Sequence, residues 1–239
     1  MTGNKRLTHG LQFNASYTWS HSIDDASRNN NGIVVPDSSN VASGKGSSDF
    51  DARQRFVINA IYDLPFKGNR FISGWEVAPI FSAQSGNPFD VVIPATTITG
   101  AGNTVTPIVV GPLTITNNPL GQWIAPASAN PSNYTGIFAN PVTQTTFGSF
   151  GRNAFVGPGF VDVDLALAKN TKITERLNMQ LRVDAFDLLN HPNYGQPSRV
   201  LSALTGQAAQ NFSTITNTRF PTGDSGSSRQ LQFAAKFQF

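Results

Sequence analysis

The chain has no cysteine, which excludes a disulfide framework and any thiolate metal site. Charge is scarce too: 13% of its 239 residues are Asp, Glu, Lys or Arg, against about a quarter in ordinary globular domains. The 17 basic and 14 acidic residues are scattered and leave a net charge of +3. With no Lys/Arg stripe, nucleic acid is not an expected partner. No apolar run is long enough for a membrane helix. Nor does Met1-Thr2-Gly3-Asn4-Lys5-Arg6 open a signal peptide, because polar residues follow at once. An exported protein with this sequence needs its signal upstream, and Met1 would then not be the true start.

Period-two alternation is present in six segments. The clearest covers residues 231–239, where Leu231, Phe233, Ala235, Phe237 and Phe239 fall on one face and Gln232, Ala234, Lys236 and Gln238 on the other. The others are 11–20, 55–64, 75–84, 160–168 and 177–186. Their apolar faces carry no charge, while Arg55, Asp63, Glu76, Asp162, Asp164, Arg182, Asp184 and Lys236 have the opposite parity. A cation facing lipid near the bilayer midplane costs about 2–4 kcal/mol, which explains such segregation. Pro79 cannot donate a ladder hydrogen bond, so a bulge or bend is expected there. A further strand is expected over 89–93, which also alternates.

The connections alternate in length. Those at 65–74 and 169–176 are short; those at about 23–50, 85–159 and 188–229 are long. Short periplasmic turns and long extracellular loops are the pattern of an outer-membrane barrel. The expected fold is therefore all-β: an antiparallel transmembrane β-barrel segment of about six to eight strands, spanning residues 1–239. Six tilted strands do not close a barrel, so the segment is expected to be incomplete, part of a larger one. Phe233, Phe237 and Phe239 are expected to anchor the closing strand in lipid, with outer-membrane lipid and the barrel-assembly machinery as partners. Two other readings share the alternation: an outer-membrane adhesin barrel, and a secreted β-sandwich that binds carbohydrate.

No catalytic frame emerges. Ser, His and Asp are available, but none stands in a nucleophile elbow, so no enzyme activity and no cofactor are expected. His9, His21 and His191 lack metal-ligand spacing. Asp24-Asp25 and Asp49/Asp51 bracket one long loop; they would suit a shared Ca²⁺ or pairing with Arg53 and Arg55, but not an EF-hand. No metal site is assigned. Residues 91–151 carry no charge, yet contain Trp123, Tyr134, Phe138, Phe147 and Phe150 among Thr, Asn, Pro and Gly. Trp123, Tyr134 and Phe138, with Arg152 and Asn153 beyond them, are candidates for binding a neutral ligand such as a glycan; a loop packed on itself is the plainer alternative. Asp162, Asp164, Arg182 and Asp184 are expected to face a lumen, as a ladder of cross-strand charge pairs or along a ligand path.

Four motifs, taken in order, resemble the C-terminal barrel of TonB-dependent receptors, nearest to the large Oar-like group with a carboxypeptidase-regulatory-like N-terminal domain. They are Tyr17-Thr-Trp-Ser-His-Ser22, Asp49-Phe-Asp-Ala-Arg-Gln-Arg-Phe56, Gly148-Ser-Phe-Gly-Arg-Asn-Ala-Phe-Val-Gly-Pro-Gly-Phe160, and Arg182-Val-Asp-Ala-Phe-Asp-Leu-Leu-Asn-His-Pro-Asn-Tyr-Gly195. The resemblance implies a plugged barrel of about 22 strands that imports a scarce nutrient using inner-membrane energy. It also implies contact with the TonB system through an N-terminal part that this chain lacks, in the outer membrane of a Gram-negative-type bacterium.

Overall fold

The computed structural model describes residues 1–25, 27, 37, 39–94, 104–130, 133–139, 141, 147–201, 211–219 and 228–239; the remaining parts of the three long connections lie outside the described residues. Seven antiparallel strands form one sheet in chain order: β1 (Thr2–Thr8), β2 (Leu11–Trp19), β3 (Gln54–Asp63), β4 (Trp75–Gln84), β5 (Phe160–Lys172), β6 (Asn178–Phe186) and β7 (Gln230–Gln238). Six are the alternating segments, within a residue or two except where β5 runs on to Lys172. The sheet is open: β1 pairs only with β2, and β7 only with β6.

β1 is the strand that alternation misses. It joins β2 through a two-residue turn in which His9 and Gly10 both have positive φ, 53° and 77°. That is the type I′ geometry whose twist matches a hairpin, and Gly at its second position is the sequence signal for it. The register shifts once between Lys5 and Thr8.

The ladders test the faces independently of hydropathy, because directly opposed residues share a side. Phe13 pairs with Ala60, Ala15 with Ile58 and Tyr17 with Phe56; Ile58 pairs with Phe81; Val163 with Phe81 and Leu167 with Val77; Leu167 with Val183; Val183 with Phe233 and Met179 with Phe237. The apolar rows of six strands thus merge into one face. Asn14, Asn59, Asp164, Asp184 and Gln232 fall on the other.

One expectation is narrowed and one is corrected. Pro79 causes no bulge: pairing with β5 is continuous through Leu165 and Pro79. Towards β3 the register is the same on either side of a gap, where the pairs of Pro79 with Ala60 and of Ala78 with Ile61 are absent. The strand gives up pairing there and keeps its alignment. Residues 89–93 do not add a sheet strand; Pro88–Phe89 pairs with Phe155–Val156, and Ile93–Pro94 with Thr104–Val105, as two-residue ladders among the loops.

Lengthening β5 also puts a charge, Lys169, on the apolar row, opposite Trp75 and Leu181. It sits at the short-turn end, with Nζ donating to the carbonyls of Arg70 (2.9 Å) and Ser73. The ammonium also lies 5.5 Å from the centroid of the Trp75 ring. The charge is thus held by the turn at 64–74 instead of facing outward.

The packed interior is not against the sheet. Phe233 is 73% exposed and Trp19 67%, and every residue of β7 is exposed. Among the described residues no second sheet covers either face. The buried cluster lies instead in the long connections: Phe89, Val91, Ile93, Trp123, Ile124, Tyr134, Phe138, Phe155, Leu201 and Phe212 are among its members. A soluble sandwich does the reverse, burying one face of each sheet.

Candidate functional site

All three long connections leave and re-enter the sheet at one end, and their described residues form a shared layer above it. Rings run through its core. Tyr134 meets Phe212 edge-on at 4.7 Å, Phe138 meets Phe150 at 5.8 Å, Phe150 meets Phe155 at 5.1 Å and Phe155 meets Phe89 at 5.6 Å. Tyr134 is 0% exposed. Its hydroxyl donates to the Ile124 carbonyl at 2.7 Å, and burial pushes its pKa up to about 12, against a hydrogen bond with Ser213. The Trp123 Nε1–H donates to the Val156 carbonyl at 3.0 Å. Trp123, Tyr134 and Phe138 are therefore packing residues in this structure, not a ring surface open to a glycan. The plainer alternative, a loop packed on itself, describes them.

Arg152 and Asn153 are also buried, and they join two loops. Arg152 Nε donates to the Gly44 carbonyl at 2.7 Å, Nη1 to Ser27 Oγ at 2.8 Å, and Nη2 to the Asp24 carbonyl at 2.7 Å and to its carboxylate. The Asp49 carboxylate lies 3.8 Å from Nη1. Asn153, held at φ 54°, donates from Nδ2 to the Ser47 carbonyl and to Asp49 Oδ1. A guanidinium thus occupies the place between Asp24 and Asp49 where a shared cation would stand. Desolvation works against it, but hydrogen bonds from Ser48, Arg152 and Ser27, with the charge of Arg152, hold the Asp24 carboxyl below its ordinary value. Asp51 pairs with Arg53 at 2.9 Å and accepts the Ser22 N–H. No cluster of three or more metal-ligating side chains occurs among the described residues. His21 bonds Ser47, far from the turn residue His9.

On the polar face of the sheet, Arg182 and Asp184 pair along β6 at 2.8 Å rather than across strands. Asp164 accepts the Asp187 N–H at 3.0 Å, which secures the exit from β6. Asp162, Asp164, Arg182 and Asp184 share that face, and among them Arg182 and Asp184 form an i,i+2 pair. The exit turn is built by its own side chains: Asp187 Oδ1 accepts the His191 N–H, and Asn190 Oδ1 accepts the Arg229 N–H as the chain returns to β7. Both residues have positive φ, 45° and 51°, which Asp and Asn tolerate.

Two features have no counterpart in the sequence patterns. The first is a buried ion pair, Asp90 with Arg199 at 2.9 Å; burial outweighs the attraction of Arg199 and raises the Asp90 pKa. The second is a pair of pockets. One, of about 360 Å³, sits where the polar face meets the loops, lined by Thr18, Ser20, Asp51, Arg55 and Gln84. The other, of about 250 Å³, lies wholly among loop residues near Asn87, Tyr194 and Arg219. Their walls come from segments far apart in the chain, and no spacing rule collects them.

Comparison with known proteins gives one finding. A family model described as an outer membrane beta barrel domain matches residues 1–232. Neither the curated proteins nor the solved structures contain a match.

Proposed function

The chain belongs to the outer membrane beta barrel domain family, and we propose that its seven strands are an arc of the barrel of a TonB-dependent receptor importing a nutrient such as a glycan, peptide or chelate. The observation that carries this reading is the continuous apolar face shared by six ladder-paired strands, bare of any covering layer among the described residues. In a bilayer that face meets lipid, and the face with Asp162, Asp164, Arg182 and Asp184 turns to the lumen. The open edges of β1 and β7 support an arc over a complete barrel, since unpaired backbone groups in lipid cost several kcal/mol each. Exposed Phe66, Phe71 and Phe239 near the short-turn end, with Tyr17 and Trp19 near the other, suit two interfacial aromatic girdles.

In this arrangement the loop layer faces outward and meets the nutrient first. Coupling to the TonB system runs through parts of the receptor outside these strands. The four motifs described above are what favour a TonB-dependent receptor over other barrels. Fractionation of cells expressing the full-length protein tests the membrane reading: recovery as a soluble monomer without detergent would overturn it. Growth on candidate nutrients, with and without the gene, tests uptake. Unchanged growth with lost surface attachment would assign an adhesin instead.

A further inference from the structure

The arginines most shielded from solvent in the loop layer have carboxylates to face: Arg152 has Asp24 and Asp49, and Arg199 has Asp90. Arg219 does not. It is half-buried; among the described residues its guanidinium makes no ion pair or hydrogen bond, and its Nη1 is sealed from solvent with no partner. Its guanidinium lies over the Phe160 ring, 6.0 Å from centroid to Cζ. Burial holds its pKa below the ordinary value, but a guanidinium keeps its proton, so the charge stays, with no carboxylate paired to it among the described residues. Leaving a shielded donor unpaired costs about 1–3 kcal/mol, and more when it is charged. A residue kept at such a cost points to an absent partner.

The space beside it is a pocket of about 250 Å³, with Asn87, Tyr194, Gln196, Asn217 and Thr218 among its walls. The backbone there is well determined by its own bonds. Tyr194 bridges Thr218, and the Arg219 N–H donates to the Asn193 carbonyl at 2.8 Å. Asn193 in turn clamps β5, its side chain exchanging hydrogen bonds with Val161 N–H and C=O. Gln196 uses Nε2 on the Asn87 carbonyl; among the described residues its Oε1 and the Asn217 side-chain amide have no hydrogen-bond partner. The lining holds one cation, no carboxylate, and several neutral donors and acceptors.

We propose that this pocket binds the carboxylate of a small hydroxyl-rich acid, a sugar acid, with Arg219 taking the carboxylate and Gln196 and Asn217 the hydroxyls. A guanidinium matches a carboxylate through two parallel N–H···O bonds. A phosphate, nearly doubly charged at neutral pH, is poorly matched by one cation and no second. The volume of about 250 Å³ suits a single sugar ring. The inference rests on the receptor reading, as the chemical class of its ligand.

The test is calorimetric titration of the full-length protein in detergent with glucuronate, galacturonate and gluconate, against glucose and inorganic phosphate. At least one of the three acids should bind, and glucose at least tenfold more weakly. Arg219→Gln should weaken that binding at least tenfold, Arg219→Lys less. Asn217→Asp, which puts a carboxylate into the pocket, should abolish it and stands in if the arginine variants do not fold. No binding of the three acids, equal binding of glucose, tighter binding of phosphate, or unchanged affinity in Arg219→Gln or Asn217→Asp would overturn the proposal. Heat-modifiable gel mobility in the same preparations reports the barrel, so the pocket can fail while the receptor reading stands.

Discussion

Phe233 and Gln232 are neighbours on β7, both exposed, with the same edge of the sheet beside them. They differ in side: Phe233 opposes Val183 on the apolar face, and Gln232 opposes Asp184 on the polar one. Replacing each by Arg separates lipid from water as the solvent of the apolar face. In water both changes fall on exposed positions and should lie within about 0.5 kcal/mol of neutral. In a bilayer Phe233, in the middle part of the strand, meets hydrocarbon, and a cation there costs about 2–4 kcal/mol. That is a loss of roughly 30- to 900-fold in the folded-to-unfolded ratio. Gln232→Arg should cost little, since Asp184 is its direct cross-strand partner. The assay is refolding of the full-length protein into liposomes from urea, scored by heat-modifiable mobility on gels across a denaturant series. Equal midpoints for the two variants would refute the assignment of faces.

Arg152→Met removes the strut between two loops and leaves Asp24 and Asp49 unpaired; with those carboxylates partly exposed, the lower end of the range for broken buried pairs applies, about 3 kcal/mol. Protease should then cut residues 20–53 faster in whole cells while barrel mobility is unchanged, and wild-type cleavage rates would contradict the strut. The same junction should open in acid. Because the Asp24 pKa is lowered on folding, its contribution is complete above the ordinary 3.8 and is lost as pH falls through the lower folded value; proteolysis that shows no acid-dependent gain in wild type relative to Asp24→Asn would refute this. Gly86→Ala would drive a Cβ into the Gly157 carbonyl oxygen, forcing two backbones apart at about 1–3 kcal/mol, measurable as a lower loop-layer unfolding midpoint. Removing the Phe239 ring, which is 99% exposed, should lower assembly yield in membranes; an unchanged yield would deny it an anchoring role.

The strands were legible because lipid and lumen impose opposite chemistry on adjacent residues. Along β7 the order Leu231-Gln232-Phe233 is enough to orient the strand, and its ladder with β6 agrees. β1 escaped because Gly3-Asn4-Lys5-Arg6 breaks the alternation, and its one local signal is the single glycine after His9. The loop layer resisted for a different reason. Trp123 and Tyr134 among uncharged neighbours look alike whether they stack on a ligand or on one another. Only the contact with Phe212, 78 residues from Tyr134 in the chain, decides it. Arg152 and Asp24 are 128 positions apart, and the walls of the Arg219 pocket run from Asn87 to Arg219. No local pattern encodes contacts at that separation; the fold has to assemble them.

The placement of the apolar cluster in the connections, away from the strands, has an engineering consequence. The strands take their order from lipid and from one another, whereas the outer layer carries its own aromatic interior and its own ion pairs. The two halves answer to different solvents. Exchanging one detergent for another should disturb the strands and leave ring packing around Tyr134 untouched. Conversely, the three connections, moved together onto the matching strand ends of an unrelated barrel, should refold into the same layer. The unit that changes hands in such a graft is the set of three, because Arg152 and Phe212 each tie one connection to another.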